Sequence, residues 1–349
     1  MKKVLAILLV LALSLSITGA LAADKVGVSM PTKSLQRWNQ DGENLKAKLE
    51  EAGFEVDLQF ANDQVALQVT QLEGMIAGGV KVLVISAIEG NSLGTVLAEA
   101  KAQGVKVICY DRLILGTDAA DYYVTFDNYK VGTLQGTYIE GVLGLKDGKG
   151  PFNVEFTAGD PGDNNALFFF QGAVDVLKPY IDSGKLVIPS GQTEFAQVAT
   201  PTWKSDVAQA RFEGILASFY AGGTKLDAVV CSNDSTAFGV ETALEGAGYT
   251  LDNWPYITGQ DCDIANTKNM IAGKQSMSVF KDTRDLAAKA VQMTLDILAG
   301  KEPEINDTTT YNNGVKVVPT FLCDPKFADI NNYKELLIDS GYYKAEELQ

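Results

Sequence analysis

The sequence predicts an α/β protein made of two similar parallel-sheet lobes that are joined by a multi-stranded hinge. Short β-branched runs alternate with longer amphipathic runs, which is typical of a parallel sheet covered by helices on both faces. This alternation occurs twice along the chain in the same order. The chain also has 349 residues, more than one compact core usually holds, so two domains are expected.

The first series of elements begins near residue 26. Gly53 follows the first amphipathic segment at the position where glycine commonly ends a helix. The predicted strands are residues 26–29, 54–59, 80–85 and 105–110, and the predicted helices are 35–52, a segment ending at 76, and 92–103.

The second series begins near residue 131 and repeats the first. The runs at 83–86 and 108–111 correspond in order to those at 229–232 and 257–261. The predicted strands are residues 152–156, 186–188, 227–231, 256–258 and 277–281, and the predicted helices are 131–143, 165–181, 205–220, 236–246, 266–272 and 283–298. A further strand-like run covers residues 315–319.

The extra elements near the C-terminus predict that the chain passes between the lobes more than once. The expected crossings lie near residues 127–128, 280–281 and 302–303. The first lobe is therefore predicted to contain residues 23–128 and 282–303, and the second lobe residues 129–281 and 304–349.

The N-terminus has the three parts of a secretory signal peptide. Lys2 and Lys3 precede an apolar run over residues 4–13, and Ala20-x-Ala22 completes the pattern. A membrane anchor is the alternative, but the apolar run is shorter than the roughly 20 residues of a bilayer span. Cleavage is predicted near Ala22, which leaves a protein of the periplasm without a cysteine for lipid attachment.

The composition excludes several classes of function. A net charge of −15 argues against binding nucleic acid, whose phosphates would be repelled. The chain contains no histidine, which removes the commonest general base and metal ligand. The four cysteines show no zinc-binding spacing, and two of them lie in apolar strand-like runs. No metal, cofactor or required disulfide is predicted.

Polar side chains follow the apolar runs at the points where the predicted strands end. In an open parallel sheet, ligands bind beyond the carboxyl ends of the strands. The loop after the first strand also carries three residues that face this edge. The candidate ligand-binding residues at the strand ends and in this loop are Lys33, Arg37, Trp38, Asp111, Arg112, Asn165, Asn233, Asp261 and Lys281.

This set of side chains suits a sugar. Each sugar hydroxyl is both donor and acceptor; Asp accepts, Arg and Lys donate, and Asn does both. The apolar faces of a sugar pack on aromatic rings, for which Trp38, Phe168, Phe169 and Trp203 are available. Structural roles remain open: Asp163 and Asp234 as helix caps, Arg37 as a solvated helix residue, and Trp203 as part of the core.

These residues stand in segments that resemble the pentose- and hexose-binding proteins of bacterial ABC importers, in particular the xylose-binding and multiple-sugar-binding members. The resemblance covers the whole mature chain. Its motifs include Gln36-Arg37-Trp38, Tyr110-Asp111-Arg112, Asp163-Asn164-Asn165, Ser232-Asn233-Asp234 and Gly259-Gln260-Asp261.

The resemblance implies the periplasmic binding protein type I fold and a monosaccharide ligand held in the cleft between the lobes. It assigns ligand contacts to Arg37, Asp111, Arg112, Asn165, Trp203, Asn233, Asp261 and Lys281. It also implies a monomer that docks on an ABC permease in the inner membrane, with a chemoreceptor or sensor kinase as a further partner.

The preferred sugar rests on two places that point to different members of the family. Lys33 and Ser34 stand where the xylose binder has a second arginine, whereas Asn233 matches the xylose binder. D-xylose is the expected ligand, with glucose, galactose and arabinose as alternatives. A glycosidase that uses Asp111 and Asp261, a sugar-responsive repressor and a binder of a non-sugar ligand are the rival classes. The absence of a catalytic motif or a DNA-binding segment disfavours the first two.

Overall fold

The computed structural model describes residues 23–349. The predicted signal peptide, residues 1–22, lies outside these residues. The strands in chain order are β1 (Lys25–Met30), β2 (Glu55–Phe60), β3 (Val82–Ile85), β4 (Lys106–Tyr110), β5 (Tyr122–Phe126), β6 (Phe152–Thr157), β7 (Leu186–Val187), β8 (Ala228–Cys231), β9 (Tyr256–Ile257), β10 (Met277–Phe280), β11 (Thr320–Cys323) and β12 (Lys326–Asp329).

The helices alternate with these strands much as the sequence predicts. Short 3₁₀ and π turns supplement them, among them the turn Pro201–Trp203. The α-helices are α1 (Gln36–Glu51), α2 (Val65–Ala77), α3 (Gly94–Ala102), α4 (Asn128–Val142), α5 (Asn164–Asp182), α6 (Phe195–Val198), α7 (Ser205–Ile215), α8 (Asp234–Gly246), α9 (Ile264–Ile271) and α10 (Thr283–Leu298).

The first lobe is built on a six-stranded sheet with the order β11-β5-β4-β3-β1-β2, in which all neighbours run parallel. Both faces of this sheet are buried. In β3, Val82 and Val84 belong to the core on one face, and Leu83 and Ile85 to the core on the other. This explains why the strands read as continuous apolar runs.

The second lobe contains a four-stranded parallel sheet with the order β7-β6-β8-β9, and an antiparallel pair of β10 and β12. Backbone hydrogen bonds from Asp261 N to Val279 O (2.9 Å) and from Val279 N to Gly259 O (3.0 Å) join the pair to the sheet. The resulting order, β7-β6-β8-β9-β10-β12, repeats the order β2-β1-β3-β4-β5-β11. The predicted similarity of the two lobes is confirmed.

The chain crosses between the lobes at three places. It leaves the first lobe after β5, because α4 packs against α5 and β10. It returns after β10, because α10 packs against α1. Both crossings agree with the predicted positions near residues 127–128 and 280–281. The last crossing lies between Cys323 of β11 and Lys326 of β12.

The assignment of all residues 304–349 to the second lobe, with a crossing near 302–303, is wrong. β11 pairs in parallel with β5, with Thr320 opposite Tyr123. Tyr311 and Val318 are buried in the core of the first lobe. The first sheet needs this late segment as its edge strand, so the chain returns to the second lobe only at β12.

All four cysteines are free and buried. Within residues 23–349, no helix combines the length and the apolar character needed to cross a membrane.

Candidate functional site

A cavity lies between the two lobes, at the carboxyl ends of strands from both sheets. It encloses about 420 Å³, a volume that includes its opening to solvent. Nine of the ten predicted site residues line it together. They are Arg37, Trp38, Asp111, Arg112, Asn165, Trp203, Asn233, Asp261 and Lys281.

Arg37 contacts three carboxylates. It lies in the first turn of α1, and its Nε donates to Asp41 Oδ2 at 3.0 Å, one turn further along the helix. Its Nη2 donates to Asp111, and its Nη1 lies 3.4 Å from Asp261 Oδ1 in the second lobe. Burial disfavours the charged form, but the three carboxylates outweigh it and raise the pKa of Arg37 well above its usual value.

Asp41 holds Arg37 from behind the cavity. It is fully buried and accepts a hydrogen bond from the Tyr110 hydroxyl at 2.5 Å as well as the one from Arg37. Burial raises the pKa of Asp41 to about 6, although the guanidinium of Arg37 opposes this shift. The bond between Asp41 and Arg37 fixes the direction in which the Arg37 guanidinium points.

Asp111 directly follows β4 and lies in the left-handed region of backbone space, with φ +59°. Such a conformation is uncommon for a residue other than glycine and clusters at functional sites. Burial would raise the pKa of Asp111, but Arg37, Lys281 and Arg112 outweigh it and hold the pKa below its usual value. The carboxylate is therefore ionised and available as an acceptor.

Arg112 follows Asp111 and is held by groups of both lobes. Its Nη1 donates to Ala87 O at 3.1 Å in the first lobe. Its Nε lies 3.1 Å from Asp163 Oδ2 in the second lobe. The guanidinium carbons of Arg112 and Arg37 lie 5.0 and 4.9 Å from the centre of the Trp38 ring, close enough for cation–π attraction.

Asn165 brings the start of α5 against the first lobe. Its Nδ2 donates to Asp111 O at 2.6 Å, and its Oδ1 accepts from Tyr123 at 2.9 Å and from Asn128 at 3.0 Å. Asp163 caps the same helix by accepting from Asn165 N. The cap role expected for Asp163 is confirmed, and the same carboxylate also lines the cavity.

Asn233 has a double role at the start of α8. Its Oδ1 accepts from Thr236 N at 3.0 Å and so caps the helix. Its amide nitrogen makes none of the side-chain hydrogen bonds found within residues 23–349. This nitrogen can therefore donate to a ligand in the cavity.

Asp261 and Lys281 form the second-lobe wall of the cavity. Lys281 Nζ lies 2.9 Å from Asp261 Oδ1 and 5.5 Å from the centre of the Phe169 ring. Asp261 and Cys262 both have positive φ angles, +97° and +53°. This strained turn directs the Asp261 carboxylate towards Arg37.

Trp203 contributes an aromatic surface. It is 4% exposed, and its indole Nε1 has no partner within the described residues. A Cβ atom on Gly159 would lie 1.9 Å from Trp203 Cη2. Glycine at position 159 therefore makes room for the ring at the wall of the cavity.

Lys33 is the predicted residue that the structure does not bring to the cavity. Its side chain is exposed, and its Nζ lies 4.8 Å from the centre of the Phe60 ring. The loop turns before α1, so Arg37 and Trp38 face the cavity and Lys33 does not.

The structure adds five cavity residues to the ten predicted ligand contacts: Leu35, Asp163, Phe169, Gln260 and Asp263. Gln260 and Asp263 lie within two residues of Asp261, so the expectation that polar residues after a strand face the ligand also points to them. Burial raises the pKa of Asp263 to about 7, and the nearby Asp261 adds to this shift. Phe169 lies within a run of three phenylalanines, in which spacing alone does not identify the ring that reaches the cavity.

The cavity thus offers fixed cations, carboxylates, amides and aromatic rings in a largely buried space. Such groups can bind a neutral polyhydroxylated ligand through many simultaneous hydrogen bonds. In the described part of the chain, no group of three or more acidic or cysteine side chains is arranged to hold a metal ion.

Comparison with known proteins identifies the family. The periplasmic binding protein domain matches residues 26–302. The multiple sugar-binding periplasmic receptor ChvE of Rhizobium radiobacter is 49% identical over 334 residues, which cover 95% of this chain and 94% of that protein. The D-xylose-binding periplasmic protein of Escherichia coli is 39% identical over 349 residues, covering 99% of this chain and 100% of that one.

A solved structure gives the same result. An ABC transporter solute-binding protein from Clostridium phytofermentans, with bound β-D-glucose, is 60% identical and superposes with a TM-score of 0.91; the match covers 93% of this chain and 100% of that one. The predicted fold and the predicted periplasmic localisation agree with these relatives. The relatives are also binding proteins, as predicted, and not enzymes. The chain belongs to the periplasmic binding protein family.

Proposed function

We propose that this protein binds one aldose monosaccharide in the cavity between its lobes and delivers it to an ABC importer. The observation that carries the proposal is the convergence of Arg37, Asp111, Asn233 and Lys281 with Trp203 in one buried cavity. Charged side chains supply strong bonds to hydroxyls, and an aromatic ring packs on the apolar face of a sugar.

The proposed ligands are D-xylose and D-glucose in their pyranose forms. Xylopyranose has the ring configuration of glucopyranose without the hydroxymethyl group, so one set of hydrogen-bonding groups serves both. The relatives named above, which bind glucose, xylose or several sugars, support this class. D-galactose differs from D-glucose, and L-arabinose from D-xylose, in the configuration of one ring hydroxyl. These two sugars are the next candidates.

A panel of aldoses tests this proposal directly. Thermal unfolding of the purified protein is followed with D-xylose, D-glucose, D-galactose and L-arabinose, each at millimolar concentration. A ligand that binds only the folded state raises the unfolding temperature. Isothermal titration calorimetry then ranks the sugars that do so. The proposal is wrong if none of the four sugars shifts the transition.

Closure of the lobes is the proposed mechanism of capture. Residues from both lobes line the cavity, so a bound sugar bonds to both at once and favours the closed arrangement. Small-angle X-ray scattering is expected to show a smaller radius of gyration when a saturating sugar is added. An unchanged radius would count against closure.

The proposed partner is an ABC permease of the inner membrane, which receives the sugar from a monomeric binding protein. The alternative is a receptor that reads the closed form, as a chemoreceptor or sensor kinase does. Size-exclusion chromatography tests the monomer. Sugar-dependent stimulation of the ATPase activity of a co-expressed transporter distinguishes transport from signalling alone.

A further inference from the structure

The C-terminal segment contains a tyrosine that connects the two lobes behind the cavity. Tyr343 is 5% exposed and packs in the second-lobe core with Cys262 and Phe280. Its hydroxyl accepts hydrogen bonds from Gln36 Nε2 at 2.7 Å and Gln40 Nε2 at 3.2 Å, both on α1 of the first lobe. The same hydroxyl donates to Cys262 O at 2.9 Å in the second lobe.

These three bonds use the full capacity of a hydroxyl group, which is one donor and two acceptor sites. They join the two segments that carry the cavity residues Arg37 and Asp261. Gln36 directly precedes Arg37, and Cys262 directly follows Asp261. The hydroxyl therefore lies behind the pair Arg37 and Asp261, whose side chains meet across the cavity.

A second contact strengthens the same connection. Ile264 N, in the second lobe, donates to Gln36 Oε1 at 3.1 Å. Gln36 is thus bonded through both ends of its amide to the second lobe. Tyr342 extends the contact, because its hydroxyl bonds to Gln40 Oε1 at 3.2 Å and its ring packs against Phe280.

The backbone on the second-lobe side is strained. Cys262 has a φ of +53°, and such a conformation persists where the surroundings hold it. The bond from Tyr343 holds the Cys262 carbonyl, and Ser278 Oγ holds its amide at 3.1 Å. Loss of one of these bonds would release the turn that carries Asp261.

We propose that Tyr343 is a positioning residue for ligand binding: its hydroxyl fixes the Arg37 helix and the Asp261 turn relative to each other and so stabilises the closed arrangement. The inference rests on the proposed function for its effect on a sugar, but not for the coupling between the lobes. Tyr343 does not line the cavity, so its effect passes through Gln36 and Cys262.

The test is Tyr343→Phe, which keeps the ring and removes the hydroxyl. Tyr333→Phe is the matched control, because Tyr333 lies in the same core cluster and its hydroxyl makes none of the side-chain hydrogen bonds found in residues 23–349. Stopped-flow measurement with the best sugar of the panel gives the association and dissociation rate constants. Thermal unfolding without sugar monitors the fold.

Tyr343→Phe is expected to raise the dissociation rate constant about 5- to 30-fold, the effect of losing one or two net hydrogen bonds. The association rate constant is expected to change less than about twofold, because the bonds between the lobes form after the sugar enters. Tyr333→Phe is expected to leave both constants unchanged. A dissociation rate equal to that of the unmodified protein, or an equal change in both variants, overturns the inference.

Hydrogen exchange provides a readout that needs no ligand. The Ile264 amide, which bonds to Gln36, is expected to exchange faster in Tyr343→Phe than in the unmodified protein or Tyr333→Phe. If no sugar binds but this difference is present, the proposed function fails and the coupling stands. If sugars bind and exchange at Ile264 is the same in all three proteins, the coupling fails.

Discussion

Arg37 and Asp261 belong to different lobes, and their side chains meet across the cavity, with Arg37 Nη1 3.4 Å from Asp261 Oδ1. Each is also bonded within its own lobe, Arg37 to Asp41 and Asp261 to Lys281. The charges at the centre of the cavity are therefore held in place before a ligand arrives. Preorganised groups bind more tightly because less conformational freedom is lost on binding.

The substitution Asp261→Asn tests this arrangement. It keeps an acceptor oxygen at this position but removes the charge that holds Lys281 and Arg37. Binding of the best aldose is expected to weaken by about 10- to 100-fold, in line with about 1.5–3 kcal/mol for a hydrogen bond to a charged group. Calorimetry measures the affinity, and Asp118→Asn, at an exposed pair with Lys101, is the control. Equal affinities in all three proteins would contradict the assignment.

Two substitutions at Asn233 separate its structural role from its ligand role. Asn233→Ala removes both the helix cap and the amide, so stability is expected to fall by about 0.5–2 kcal/mol and affinity to fall by about 1–3 kcal/mol. Asn233→Asp keeps a good cap but replaces the free amide nitrogen by an acceptor. It is expected to lose affinity with little loss of stability. Retained affinity in the Asn233→Asp variant would assign this residue to the cap alone.

The close contact between Gly159 and Trp203 predicts a remote effect on the ligand. Gly159→Ala places a Cβ within 1.9 Å of the Trp203 ring, so the ring must leave its place at the cavity wall. We expect affinity to fall about 3- to 10-fold, the effect of an aromatic contact of about 0.5–1.5 kcal/mol, with a change in tryptophan fluorescence. Gly214→Ala, at a helical site with no neighbour within 4 Å, is expected to leave both unchanged.

Glu241 predicts how stability depends on pH. Burial raises its pKa from 4.5 to about 8, although the bond from Asn269 and the charge of Lys274 oppose the shift. The folded state keeps this proton up to about pH 8, whereas the unfolded chain loses it near pH 4.5. The free energy of unfolding therefore falls as the pH rises between these values.

Glu241→Gln removes this contribution, because glutamine does not ionise and can still accept from Asn269. Denaturant unfolding is expected to show similar stability of the two proteins at about pH 5. At about pH 8.5 the variant is expected to be more stable, by up to about 4 kcal/mol. Glu50→Gln, at an exposed position paired with Lys46, serves as control. Parallel pH profiles for all three proteins would contradict the prediction.

The sequence predicts most of the cavity residues, because a parallel sheet brings the carboxyl ends of its strands to one edge. Polar residues that follow buried strands must meet at the same edge, so Asp111, Asn233 and Asp261 were identifiable from their positions alone. Asn165 lies in the polar run that follows β6, so the same rule points to that segment. Trp203 follows no such rule, and its prediction as a ligand contact depends on the resemblance to a family. Lys33 does not line the cavity, and its Nζ lies over the Phe60 ring instead, a contact that the spacing of residues in an irregular loop does not reveal.

The sequence predicts the later part of the chain less well. The short strand β5 was not predicted, although the run Tyr122–Phe126 is rich in β-branched and aromatic residues. β11 was placed a few residues early and in the wrong lobe. Its partner in the sheet lies about 200 residues away in sequence, and no local pattern carries that pairing.

The late edge strand β11 has a consequence for how the protein is made. Without residues 320–323, β5 would be left as an open, unpaired edge of the first sheet, and such edges promote association with other chains. A ribosome supplies β11 only after almost all of the preceding chain has been synthesised. The first lobe, although it begins at the N-terminus, can therefore be completed only near the end of synthesis, and a nascent chain stopped before residue 320 is expected to aggregate.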